Sequence, residues 1–138
     1  MNEVLAHLRS CADVWGGCIA TMLAAAESPT IRAGSPPTWL TQTDYLELEF
    51  QPSFRAYADQ RHGLIETLQT LEPDEWLRSA TVVGAGRPVQ RSVHTYTEWI
   101  AIHERAHIKQ IRRIAQATRE LGNAQTESPG ARHMDGSR

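Results

Sequence analysis

Cysteine is scarce in this sequence, with two among 138 residues. Two cysteines cannot build the disulfide framework on which small secreted domains depend. Cys11 and Cys18 lie seven positions apart in a stretch that reads as helix. At about 1.5 Å of rise per residue their backbones are roughly 10 Å apart, and a disulfide needs Cα atoms within about 7 Å. Free thiols in a reducing, cytoplasmic compartment are therefore expected. Lysine is rarer still. Lys109 stands alone among arginines, which reads as genome composition. Positive charge is not in excess, since 14 Lys+Arg face 16 Asp+Glu for a formal net charge of −2. The basic patch that nucleic acid or an anionic membrane requires is missing, so neither is expected as a partner. Long apolar runs are also absent. The longest, Val14 to Ala26, falls short of the ~20 residues of a membrane span. It could serve as a signal-peptide core ending at Ala24-Ala25-Ala26, but Glu3, Asp13, the Gly16-Gly17 pair and the lack of a basic start argue against a secretory leader. No internal repeat or heptad run is found.

What is present fits one folded domain. About 140 residues suffice for a single core without staples, and 41% hydrophobic with 22% charged residues is ordinary globular usage, which excludes wholesale disorder. From about Asn2 to Glu27, Val4, Leu8, Cys11, Trp15, Cys18, Ile19 and Met22 recur at steps of three and four, one face of a helix. Asn2 is the expected N-cap and Ser28-Pro29 the stop. Residues 28–43, with three prolines and a glycine, read as an irregular connection. Pro52 divides the next region. Proline is unfavourable inside a helix and tolerated in its first turn, so a short helix over 44–50 and a longer one from Pro52 to Leu71 are expected. The longer one carries the stripe Phe54, Tyr57, Arg61, Leu64, Ile65, Leu68 and Leu71. Residues 72–77 read as one acid-led turn anchored by Trp76, Thr81-Val82-Val83 as a brief extended piece, and 84–86 as a turn. A last helix is expected from about Val89 to Leu121, with Gly122 as its stop. These segments predict an all-α bundle over residues 1–122, followed by a disordered tail over 123–138.

Six histidines are many for such a chain. His103-Glu104-Arg105-Ala106-His107 matches H-E-x-x-H, and on a helix residues four apart share a face, so both imidazoles can converge on one ion. The stripe Val93, Tyr96, Ile100, His103, His107, Ile111, Ile114 places histidine at two steps where a core calls for apolar side chains. A single buried histidine is more often a satisfied core residue. Two in adjacent turns need partners in one small volume, and a cation satisfies both lone pairs. His7, at the edge of the first helix's apolar face, is the best third ligand, although alone it reads equally well as a boundary residue. His62 reads as partly exposed, His94 leans off the stripe, and His133 falls in the tail. Three imidazoles leave a coordination position open, as in catalytic zinc sites, and nitrogen ligands also suit nickel, iron or manganese.

The pairing of Val4-Leu5-Ala6-His7-Leu8 on an early helix with His103-Glu104-x-x-His107 on a late one resembles the DinB-like superfamily. The run Leu71-Glu72-Pro73-Asp74-Glu75-Trp76, the Gly86 turn and His107-Ile108-Lys109-Gln110-Ile111 are similar to that family as well, and together they cover roughly residues 2 to 120. The resemblance implies an up-down four-helix bundle whose early and late histidines, here His7, His103 and His107, hold a divalent metal. It also implies the activities of its members, which include bacillithiol transferases and mycothiol-dependent isomerases. One departure is plain. Members carry a full helix before the early motif, and six residues precede His7 here. Either the start is misassigned or truncated, or a partner chain supplies the missing surface; an incomplete bundle, lacking the usual first helix, would expose an apolar groove, so a homodimer is expected. The functional expectation is a divalent-metal-dependent hydrolase or thiol-dependent S-transferase acting on a small molecule, with a low-molecular-weight thiol as co-substrate. Glu104 is its candidate catalytic residue, as a base or as a partner that orients a ligand; the plainer alternative is a solvent-facing acid. Tyr57 and Tyr96 either line the pocket or belong to the core. Two other functions compete: a non-enzymatic metal-binding or regulatory bundle, and a zincin-type peptidase with Glu104 as base.

Overall fold

The computed structural model describes residues 2–84 and 86–126. It is mostly helical. Three long helices, α1 (Asn2–Ala24), α3 (Phe50–Gln69) and α5 (Val93–Thr126), are joined by two short ones, α2 (Pro36–Thr41) and α4 (Pro73–Trp76), and by strands β1 (Thr30–Arg32), β2 (Ser79–Val83) and β3 (Val89–Ser92). No described helix is long and apolar enough to cross a membrane.

The strands correct the all-α expectation. They form one sheet in the order β1-β2-β3. β1 runs parallel to β2, pairing Ile31 with Val82, and β2 runs antiparallel to β3, pairing Ala80 with Arg91. Only β2 shows the alternation of a half-buried strand, with Ala80 and Val82 inward. β1 and β3 are three and four residues of mixed polarity, held by pairing to a distant segment, and a local pattern cannot announce that. Between β2 and β3, where a turn is expected, Gly84 (φ 93°) and Gly86 (φ 83°) both take the left-handed conformation that glycine adopts without strain.

Helix boundaries shift for local reasons. α1 begins as expected, but Asn2 does not act as an N-cap: its side-chain amide donates to the Leu48 carbonyl. Residues 28–43 contain β1 and α2, the latter opened by Pro36-Pro37 in its first turn. The short helix expected over 44–50 is absent; a turn leads instead into α3, which starts at Phe50 with Pro52 as its third residue. There the missing N–H is one the helix would leave unpaired anyway. α4 is the expected acid-led turn, closed by reciprocal side-chain bonds between Glu72 and Glu75. α5 starts at Val93 because residues 89–92 pair with β2, and Ser92 Oγ accepts the Thr95 N–H at 3.2 Å. It continues through Gly122 to Thr126, since an exposed glycine costs a helix only about 1 kcal/mol. The rest of the expected tail, 127–138, lies outside the described residues.

Two apolar clusters hold the helices together. Ile19 and Met22 of α1 pack with Ala80 and Val82 of the sheet and with Val93, Tyr96 and Ile100 of α5. At the other end Leu5, Leu8 and Ala12 of α1 pack with Tyr57 of α3 and Ile111 of α5. α1 and α5 run antiparallel along this seam, as the ring pairs His7–His107 and Trp15–Trp99 show. Between the clusters the seam is lined by His7, Cys11 and Trp15 on one helix and by Trp99, His103 and His107 on the other.

Candidate metal centre

Each helix contributes a pair of polar side chains one turn apart. On α5 these are His103 and His107, as the motif predicts. On α1, His7 sits at the matching level, so residues 96 positions apart meet with their Nε2 atoms at 2.9 Å. One nitrogen from each of His7, His103 and His107 lies within 4.8 Å of the other two. The ring centroids are 4.8 Å apart for His7–His103, 5.2 Å for His103–His107 and 6.1 Å for His7–His107. All three rings are half-buried. Trp15 stands edge-on to His103, 5.4 Å away at 90°, and meets Trp99 at 6.1 Å, closing the sheet side of the cluster with indole.

The electrostatics suit a cation. Burial lowers the pKa of His7 from its ordinary 6.5, with His107 adding to the effect. Burial, then His7 and His107, lowers that of His103. Both rings are neutral at pH 7 and offer lone pairs. Two neutral imidazoles facing through Nε2 share one proton between them, whereas a divalent ion takes a lone pair from each. His103 Nδ1 is buried with no hydrogen-bond partner, so packing against Trp15 orients that ring. The donor set, three converging imidazoles, fits a divalent metal.

Glu104 is not the solvent-facing acid that the bland reading anticipates. It is 5% exposed, turned into the interface of the three long helices, and Arg61 Nη2 of α3 lies 2.6 Å from its Oε2. The Tyr57 hydroxyl is close by, and burial together with the Glu104 carboxylate raises its pKa. Tyr96 is buried in the cluster against the sheet. Both tyrosines are core residues.

Sequence reasoning missed two members of this neighbourhood. Arg61 interrupts the apolar stripe of α3, a position that calls for a buried acid opposite. Cys11 is read as an apolar position, yet its Sγ lies 3.8 Å from His7 Nε2 and 4.0 Å from His103 Nε2. Burial, with a contribution from Glu104, pushes its thiol up to about 11. The i, i+4 spacing of His7 and Cys11 repeats that of His103 and His107, and this was the available sign. His62 and His94 stand apart from the cluster as expected, on exposed surface beside Glu66 (3.1 Å) and Glu98 (3.7 Å). His133 lies outside the described residues. A cleft of about 570 Å³ opens beside Arg61 over Gly16 and Gly17. It is bordered by Asp13, whose carboxylate accepts from Trp39 Nε1 (2.9 Å), Gln60 Nε2 (2.8 Å) and the Tyr45 hydroxyl. Compared with protein-family models, curated proteins and solved structures, the chain matches none of them.

Proposed function

We propose that this chain is a DinB-like, divalent-metal-dependent hydrolase or thiol-dependent S-transferase. The observation that supports it most is the convergence of His7, His103 and His107 from two helices on one point between two apolar clusters. Zinc, nickel, iron or manganese would be held by these imidazoles. When bound, the ion supplies Lewis acidity that favours the ionised form of a water or thiol beside it. The protein's part is positional. Neutral His7 and His103 present lone pairs, and Trp15 and Trp99 exclude water from the sheet side. The Arg61–Glu104 pair fixes the turn of α5 that carries both late histidines, and Glu104 enters this reading as a positioning residue. The cleft beside Arg61 is wide enough for a small-molecule substrate. Two buried free thiols agree with a reducing cytoplasm. A second copy of the chain is the proposed partner, seated on the groove between α3 and α5 that Phe54, Ile65 and Ile108 line.

Metal analysis of the purified protein tests the reading. One divalent ion per chain is expected, lost in His103→Ala and in His7→Ala, together with thiol-dependent conjugation of an electrophile. A wild type without stoichiometric metal, or a His103→Ala variant that retains it, overturns the proposal. The non-enzymatic metal-binding reading has Cys11 in its favour, because a thiol beside the three imidazoles can close the coordination shell. The peptidase reading requires a glutamate free to take a proton from water, and Arg61 engages this one. Casein hydrolysis that disappears in Glu104→Ala would revive it.

A further inference from the structure

We infer that Cys11 is a fourth ligand of the centre, so that the ion is held by His7, Cys11, His103 and His107. This rests on the three-histidine reading and narrows it. Two antiparallel helices each present a pair of donors spaced four residues apart, and the pairs face one another across the α1–α5 seam. With metal–nitrogen bonds near 2.0 Å and metal–sulfur bonds near 2.3 Å in a tetrahedron, facing nitrogens come to about 3.3 Å apart and nitrogen to sulfur to about 3.5 Å. The structure has 2.9 Å between His7 and His103 Nε2, and 3.8 and 4.0 Å from these atoms to Cys11 Sγ. Adjustments of about half an ångström bring the His7, His103 and Cys11 atoms to these spacings, and His107, with a nitrogen within 4.8 Å of those of His7 and His103, closes the set from the next turn of α5.

The second thiol serves as an internal contrast. Cys18 is equally a buried free cysteine of α1, but it packs in the apolar cluster against the sheet and has no imidazole partner among the described hydrogen bonds. Burial alone therefore does not place a cysteine against imidazoles, whereas position 11 has two within 4.0 Å. On binding, the Cys11 S–H bond breaks, the proton passes to solvent, and the sulfur lone pair is donated to the ion with no change of oxidation state. The position that three histidines would leave for water or an external thiol is then taken. An incoming thiol has to displace Cys11 or raise the coordination number.

Cobalt(II) titration of the metal-stripped full-length chain decides the matter by absorbance. Thiolate ligation gives a near-ultraviolet sulfur-to-cobalt charge-transfer band, and imidazole ligation gives only the visible ligand-field bands. The expected result is one cobalt per chain with both sets of bands in the wild type and in Cys18→Ala. Cys11→Ser and Cys11→Ala should lose the charge-transfer band while keeping cobalt on the histidines, with unchanged helical circular dichroism. Should both Cys11 variants misfold, the wild-type and Cys18→Ala spectra carry the test by themselves. Stoichiometric cobalt with no charge-transfer band in the wild type overturns the Cys11 assignment and leaves the three-histidine centre standing, and so does a band that survives in a folded Cys11→Ser protein. Failure to bind cobalt at all overturns the three-histidine reading, and this inference with it.

Discussion

At the scale of single residues, the ion pair of Arg61 and Glu104 is asymmetric. Glu104 is 5% exposed, while Arg61 keeps 28% of its side chain in contact with solvent. Removing the arginine strands a buried carboxylate, whereas removing the glutamate leaves a guanidinium that reaches water. Arg61→Ala should therefore cost about 3 kcal/mol, the order expected for an uncompensated buried charge, and Glu104→Ala distinctly less. Denaturant titration of the two variants checks the order, and equal costs would contradict it. Tyr45 offers a pH test. Burial first, then its hydrogen bond to Asp13, pushes its phenol up to about 12 from an ordinary 10.0. The folded state thus favours the protonated form. The stabilisation is fully present below pH 10 and is lost as pH rises through about 12. Ultraviolet titration should show a tyrosine ionising near pH 12, together with the onset of alkaline unfolding, and Tyr45→Phe should remove that step, while Tyr57, pushed higher by burial and the Glu104 carboxylate, stays protonated through it. Histidine was the most legible residue type in the sequence, because two imidazoles on an apolar stripe conflict with their surroundings. Arg61 and Cys11 were less so, since each acquires its meaning from a residue on another helix.

At the scale of elements, α1 carries an unusual weakness. Gly16 and Gly17 sit mid-helix, and a Cβ added at either position meets no atom within 4 Å. Each glycine costs the helix about 1 kcal/mol relative to alanine, with no packing in return. Gly16→Ala and Gly17→Ala should each stabilise the protein by about 0.5–1 kcal/mol, read as a raised denaturation midpoint. Gly84→Ala should do the opposite by about 1 kcal/mol, because its φ of 93° is strained for a side chain. The long helices were readable because their burial has period 3.6 over many turns. The sheet was not, since β1 and β3 depend on partners some fifty and ten residues away and carry too few residues for a period of two to show. For the same reason Val89–Ser92 passed for the start of α5: its pattern continues into the helix, and only pairing with β2 separates the two.

At the scale of the molecule, the groove between α3 and α5 leaves Ile65 and Ile108 at 42% and 39% exposure. If a second copy covers it, sedimentation velocity should give a dimer, and Ile65→Glu with Ile108→Glu should give a monomer. A divalent ion held as proposed by His7, His103 and His107 would act on the whole molecule as well. Binding only the folded chain, it should add about 2.7 kcal/mol of stability at a free concentration one hundred times its Kd, seen as a melting temperature that climbs with zinc and falls back with chelator. The meeting of His7 with His103 spans 96 positions, so one histidine arrives with the first helix and two with the last. The three histidines come together only after the chain between the first and last helices has closed on itself, which is the slow part of reaching a native topology. Ion capture is therefore a clock for folding: in a refolding experiment the cobalt spectrum should never lead the recovery of helix, and the lag between them measures how long the first and last helices take to find each other.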